Sequence, residues 1–247
     1  MGFLATKIIA HRGASSKYPE NTMIAYKQAL KDGADAIELD IHLSRDKIPV
    51  VIHDETVDRT TDGYGFVKDY SVSELKKLSA GHWKGWKFRK AEIPTLEEVL
   101  EWIQPTPLHL VIELKNNLFP YKGMEEIMLD LIDKYRMMER TIFSSFNHDS
   151  LLKIKRLNHN AETAPLYSKP IPDPVRYAKS IGAAGLHPYY RITTEQLVRT
   201  LHENGLKIRP YTVNSPHFMA ILFRWGVDAV ITDEPAQAAK LRKVKMK

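Results

Sequence analysis

The stretch "IELDIHLSRDKIPVVIHD", residues 37–54, has the look of two β-strands around a short polar spacer, yet it sets Glu38, Asp40, His42 and His53 among aliphatics. In an extended chain alternate side chains share a face, so Glu38, Asp40 and His42 project together. The spacer "SRDKI" is far too short for a parallel crossover. "PVVIHD" is therefore expected to pair antiparallel with the strand before it and to return His53 towards Asp40.

Outward from this hairpin, short β-branched runs alternate with segments of helical period, the pattern of βαβ units and a parallel sheet. The strand candidates are "KIIAH", "DAIELD", "LHLVIEL", "RTIFSSF", "ETAPLY", "AAGLHP", "KIRPYTV" and "DAVITD". Helical patterns such as "NTMIAYKQALKDG", "TLEEVLEWI" and "TTEQLVRTLHENG" lie between or after them. Several open on Asn, Thr, Ser or Asp and close near Gly, as capping requires. Eight βα pairs predict an α/β fold of the TIM (β/α)8 barrel class, with functional residues where strands end and βα loops begin. A doubly wound open sheet is the alternative, although no G-x-G-x-x-G follows the first strand. The expected organisation is one domain over 1–247, with an insertion after the second barrel strand at about 41–94 where the strand–helix rhythm breaks.

The chain has 247 residues, enough for one large core. Its 36 Lys and Arg against 30 Asp and Glu leave a modest, diffuse positive charge that favours anionic small molecules and does not point to nucleic acid. With no cysteine there is no disulfide framework, thiolate nucleophile or Cys-ligated zinc. This suits a cytoplasmic protein. The start "MGFLATKIIAHRG" lacks the features of a secretory signal, and no apolar run is long enough for a transmembrane helix. Gly2 and Thr6 formally fit the myristoylation pattern, a short one that arises by chance and here carries a bulky Phe3. The basic end "KLRKVKMK" reads as a solvated helix end. Oligomeric state stays open, a homo-oligomer included.

In a barrel, strand ends converge on one pocket, which gathers Glu38, Asp40 and Glu113 with His11 of "AHRG" and His53 of "VIHD". Carboxylates so close raise one another's pKa unless a positive charge joins them. An all-oxygen donor set without cysteine selects a hard divalent cation, Mg²⁺ or Ca²⁺, over zinc.

The ordered runs "HRGASSKYPENTMIAY", "ELDIHLSRDKIPVVIHDETVDRTTDG", "IPTLEEVL", "IELK", "SSFNHDSL", "YTVN" and "ITDEP" resemble the glycerophosphodiester phosphodiesterase family along nearly the whole chain. The resemblance implies a barrel enzyme that cleaves glycerophosphodiesters to glycerol 3-phosphate and an alcohol with one bound divalent cation. It implies His11 and His53 as the acid/base pair, Glu38, Asp40 and Glu113 as metal ligands, and Arg12 and Lys115 as phosphate contacts. The chemistry agrees: a cation and an Arg fork neutralise the diester oxygens, while one imidazole activates a nucleophile and the other protonates the leaving alkoxide. Attack by a glycerol hydroxyl through a cyclic phosphate, and direct attack by water, both remain open.

Tyr211, where the family usually carries tryptophan, and Phe146 are expected as aromatic walls of the substrate site, with barrel packing the competing role. His42 is read as polar lining of the hairpin, and Asp233 as a brace of the last βα turn. Trp83, Trp86 and Phe88 are expected to form a miniature core in the insertion, with capping the pocket or holding a quaternary ammonium group as alternatives. His187 is open between substrate contact and structure. Two other functional classes stand beside the main one: a lysophospholipase D-type enzyme, which needs an exposed apolar lip, and a noncatalytic glycerophosphodiester binder.

Overall fold

Strands β1 (Lys7–His11), β2 (Ala36–Leu43), β4 (His109–Leu114), β5 (Thr141–Ser145), β6 (Glu162–Tyr167), β7 (Gly185–Pro188), β8 (Lys207–Ile208) and β9 (Ala229–Thr232) stand in the order β8-β7-β6-β5-β4-β2-β1-β9. All their ladders are parallel. This computed structural model describes residues 6–245; Gly2 of the candidate lipidation pattern and Met246 and Lys247 of the basic tail lie outside the described residues. The remaining strand, β3 (Pro49–Val51), pairs antiparallel with β2, setting Ile41 opposite Val51 and His42 opposite Val50. The hairpin expected from the short spacer is present.

One strand is shorter than expected. "KIRPYTV" keeps a regular ladder only at Lys207–Ile208 because Pro210 has no N–H to donate. The chain stays extended and nearly closes the barrel. Tyr211 N donates to Pro188 O on one side (3.0 Å), and on the other Ile231 N donates to Pro210 O (2.9 Å) and Val213 N to Ile231 O (2.8 Å).

Between strands run α1 (Met23–Lys31), α3 (Leu96–Ile103), α4 (Met124–Lys134), α5 (His148–Leu157), α6 (Pro174–Ser180), α7 (Glu195–Glu203) and α8 (Pro216–Trp225), with α9 (Pro235–Lys245) after β9. Thr22 caps α1, and Thr95 with Glu98 forms a reciprocal capping box on α3. No helix among the described residues is long and apolar enough to cross a membrane.

The helices cover the outward strand faces with apolar side chains: Ile37, Leu39 and Ile41 of β2 are fully buried beside Leu96, Leu100 and Ile103 of α3. The inward faces are layered. Ile9, Ala36, Val111, Ile142, Ala164, Ala229 and Ile231 form an apolar floor. Two residues further along the same faces come His11, Glu38, Glu113, Ser144 and Asp233. One strand face thus packs the barrel at one end and carries polar groups at the other.

The insertion contains β3, a short helix α2 (Val72–Leu75) and single 3-10 turns at Val67–Asp69, His82–Lys84 and Trp86–Phe88, joined by irregular backbone. Its core is aliphatic, built from Val50, Ile52, Val57, Val67, Leu75, Ala80 and Ile93. The aromatic miniature core expected here is not formed: Phe88 is buried against Tyr18, Trp83 is half-buried and Trp86 is exposed.

Candidate active site

The loop leaving β1 is shaped by "HRG". Arg12 adopts φ 55° and Gly13 φ 84°. A Cβ on Gly13 would lie 2.7 Å from Ala25, so only glycine allows the loop to fold against α1. This turn aims the Arg12 backbone N–H at Glu38 Oε2, to which it donates at 2.9 Å. The Arg12 side chain lies with Nε 3.1 Å from Asp40 Oδ2, and its Nη1 donates to Glu20 Oε1 at 2.9 Å.

Strand register places the acids. His11 is level with Glu38, and Asp40 with Glu113. Glu38, Asp40 and Glu113 are buried, and one oxygen from each lies within 4.8 Å of the others. Asn21 Nδ2 donates to Asp40 Oδ2 at 2.8 Å and is itself held by the Tyr26 hydroxyl, which donates to Asn21 Oδ1 at 2.9 Å. Lys115 Nζ donates to Glu113 Oε1 at 2.9 Å and lies 4.0 Å from Asp40 Oδ1.

Burial and the charges of Asp40 and Glu113 push the Glu38 carboxyl well above its usual range. Burial and Asp40 likewise raise Glu113, with Lys115 opposing. Burial would raise Asp40 too, but Arg12, His53, Lys115 and His11 together bring it below the usual carboxylate value. Three buried carboxylates this close repel one another unless a positive charge joins them, and together with a buried Asp40 Oδ1 that has no hydrogen bond they suit a hard divalent cation.

Each histidine is held by an aspartate. His11 Nδ1 and Asp233 Oδ1 are 2.7 Å apart, and His53 Nδ1 and Asp54 Oδ1 are 2.5 Å apart. A carboxylate can only accept, so both rings carry the proton on Nδ1 and keep Nε2 for other work. Burial would raise Asp233, but hydrogen bonds from His11, Asn214 and Ser15 bring its pKa down to about 2. The His53 Nε2 lies 3.2 Å from Lys115 Nζ.

A single guanidinium braces the second pair. Arg59 donates to Asp54 (Nε to Oδ2, 2.6 Å) and to Glu20 (Nη2 to Oε1, 2.8 Å; Nη1 to Oε2, 2.9 Å). Glu20 is the carboxylate that accepts from Arg12, so Arg59 joins the support of His53 to that of Arg12.

The structure brings His11, Arg12, Glu38, Asp40, His53, Glu113 and Lys115 together at the mouth where the strands end. Tyr211 lines the interior cavity shared by His11, Glu38 and Glu113, and meets Phe146 edge-on at 5.9 Å between ring centroids. His42 is fully buried; its Nε2 lies 3.0 Å from the His53 carbonyl oxygen, which fixes the backbone that carries His53. Its role as hairpin lining thus includes placing its neighbour. His187 is buried with Nε2 3.4 Å from Arg209 Nη1, and burial together with that charge holds its pKa well below the usual histidine value. Sequence reasoning missed Asp54, Glu20 and Arg59, though all stand inside the motifs that flank His11 and His53. It read Asp233 only as a brace, and nothing in the local spacing announces that its carboxylate reaches a ring at the far end of the chain.

A parallel α/β barrel with carboxylates, imidazoles and cations gathered where its strands end has the layout of a barrel enzyme. The chain belongs to the glycerophosphoryl diester phosphodiesterase family, which it matches over residues 11–237. It is 44% identical over 232 residues to a glycerophosphodiester phosphodiesterase of Caldanaerobacter subterraneus subsp. tengcongensis, covering 94% of this chain and 96% of that one. A glycerophosphodiester phosphodiesterase of Bacillus altitudinis is 43% identical over 240 residues, covering 96% of this chain and 98% of that one. Among solved structures, a phosphodiesterase of Oleispira antarctica in complex with the product sn-glycerol-3-phosphate superposes with a TM-score of 0.91 at 31% identity, covering 97% of each chain.

Proposed function

We propose that this chain hydrolyses glycerophosphodiesters, such as glycerophosphocholine or glycerophosphoethanolamine, to glycerol 3-phosphate and an alcohol. The observation that carries the reading is a pair of aspartate-held imidazoles beside a buried three-carboxylate cluster with Arg12 and Lys115. The relatives named as glycerophosphodiester phosphodiesterases, and the similar fold holding glycerol 3-phosphate, support it.

Glu38, Asp40 and Glu113 are the residues that would hold one divalent cation, Mg²⁺ or Ca²⁺. Such a cation supplies charge neutralisation at the phosphoryl oxygens and polarises the phosphorus centre. Arg12 and Lys115 neutralise the diester as well. Burial opposes charge on Lys115, but Glu113 and Asp40 outweigh it and raise its pKa, so the ammonium stays charged. One imidazole Nε2 accepts a proton from the attacking group, which is either water or a glycerol hydroxyl whose cyclic phosphate water then opens, and the other imidazole, protonated, gives a proton to the departing alkoxide. Asp233 and Asp54 orient the rings and stabilise the imidazolium. Phe146 and Tyr211 wall the glycerol side.

The test is release of glycerol 3-phosphate from glycerophosphocholine by purified protein, with EDTA, with added Mg²⁺ or Ca²⁺, and with His11→Ala in parallel. Metal-dependent release lost in the variant is expected. Binding without cleavage under every metal would overturn the reading in favour of a binder. A second reading, turnover of lysophospholipids, is favoured by an exposed apolar lip of Phe66 and Leu118, with Phe119 edge-on to Phe66 at 5.5 Å.

A further inference from the structure

We propose that the loop at residues 82–90 and the groove beside it form a docking surface for anionic phospholipid bilayers. The stretch from Ala80 to Ala91, "AGHWKGWKFRKA", holds Lys84, Lys87, Arg89 and Lys90 and no acidic residue. It is a closed, preformed loop. Ala80 N donates to Ala91 O at 2.7 Å, Ala91 N to Phe88 O at 2.8 Å, and Ser79 Oγ to Arg89 O at 2.6 Å. A Cβ on Gly81 would lie 2.1 Å from the Phe88 carbonyl oxygen, so the two ends of the loop meet only through glycine.

What the closed loop displays is amphipathic. Trp86 is 77% exposed, with the Arg89 guanidinium 3.7 Å from its ring centroid. Among the described residues, no carboxylate lies within ion-pair distance of Lys87, Arg89 or Lys90. Beside the loop a groove of about 510 Å³ is lined by Lys27, Lys87 and Lys90 together with Ile24, Phe88 and Pro94. Its two acids, Glu92 and Glu98, both lie on Lys76, so its four lysines exceed its acids by two, and among the described residues Lys27, Lys87 and Lys90 have no ion-pair partner.

A solvent-exposed Trp, unpaired cations and a partly apolar groove are the chemistry of a membrane interface, where Trp settles at headgroup depth and Lys and Arg meet lipid phosphates. A nucleic-acid surface would call for a basic track with several stacking rings, and here one exposed ring already carries an arginine. The surface lies on the mouth side of the barrel, because α1 and α3, whose first turns border the groove, begin where β1 and the insertion end. Lys84 ties the loop to the mouth itself, donating to Ser15 O at 2.7 Å, while Ser15 Oγ donates to Asp233 Oδ1 at 2.9 Å.

The experiment is flotation of the full chain with vesicles of phosphatidylglycerol mixed into phosphatidylcholine, against phosphatidylcholine alone, at low and raised salt. Phosphatidylglycerol-dependent, salt-sensitive binding is expected, with a blue shift of tryptophan emission that Trp86→Phe removes. Each lost cation should weaken partition about fivefold, so the triple variant Lys87→Ser, Arg89→Ser, Lys90→Ser should bind about 100-fold more weakly. Cleavage of water-soluble glycerophosphocholine by these variants should match the unmodified chain, which shows them folded. Equal binding to both vesicle types, an unaffected triple variant, or binding to single-stranded oligonucleotide but not to vesicles would each overturn the proposal. Should the triple variant misfold, the Trp86→Phe spectrum and the salt dependence of the unmodified chain decide alone.

Discussion

Replacing Arg59 with Met separates a positioning role from a stabilising one. Arg59 touches no carboxylate of the acidic cluster and its side chain is 45% exposed, so its ion pairs with Glu20 and Asp54 are screened by water. Exposed pairs contribute about 0.2–1 kcal/mol each, and losing both should cost about 1 kcal/mol in folding stability. For a chain of this size that is a fall of about 2–4 °C in Tm. The effect on turnover should be larger. Without the fork, Asp54 loses the donor that fixes it against His53, and Glu20 loses one of its two guanidinium partners while still holding Arg12. Misplacement of a reacting group by about 1 Å costs up to ~100-fold, so kcat should drop about 10- to 100-fold. Arg59→Lys keeps a charge but cannot bond both carboxylates in a plane, and should restore Tm more than kcat. Steady-state kinetics on glycerophosphocholine with thermal melts of the three proteins make the comparison. If Arg59→Met keeps kcat within about twofold while Tm falls, the bridge is structural only and does not position the catalytic groups.

Three further outcomes follow from the same geometry. Added Mg²⁺ or Ca²⁺ at about 100 times its Kd should stabilise EDTA-treated protein by about 2.7 kcal/mol, read as a rise in Tm, and Glu113→Gln should abolish that rise. The folded-state pKa of Asp233 is depressed from 3.8 to about 2, so its contribution is fully present above about pH 4 and lost as pH falls towards 2. Acid denaturation of Asp233→Asn should lack up to about 2 kcal/mol of that pH-dependent loss, and an unchanged profile would show that the aspartate is not held as described. Tyr26→Phe removes the hydroxyl that holds Asn21, leaving a buried amide oxygen unpaired; it should cost about 1–3 kcal/mol in chemical denaturation and weaken metal binding through Asp40.

Residue by residue, legibility followed distance along the chain. The strand–helix alternation and the spacer too short for a crossover are local properties, and they carried the barrel and the antiparallel return of His53. Alternation within β2 and β4 puts Glu38, Asp40 and Glu113 on one side of their strands whatever packs there. The expected strand "KIRPYTV" is longer than its ladder: Pro210 ends the ladder, and the extended chain beyond it is held by neighbours on both sides. The insertion's aromatics misled because hydrophobic composition does not say which side chains a small core takes. Aliphatics filled it, and Trp86 was left at the surface.

The class of fold, the convergence of acids and histidines on one mouth, and the family to which the chain belongs are all readable from the chain before it folds. Those follow from short-range periodicity and ordered motifs. Three things come from packing alone: which carboxylate holds which imidazole, that Arg59 joins the supports of His53 and Arg12, and that Lys76 draws both Glu92 and Glu98 while Lys87 and Lys90 have no ion-pair partner among the described residues. His11 and Asp233 are 222 positions apart and meet only because β1 and β9 are neighbours in the barrel. Hydrogen-bond partners are chosen by closure of the whole sheet, and no local pattern encodes that choice.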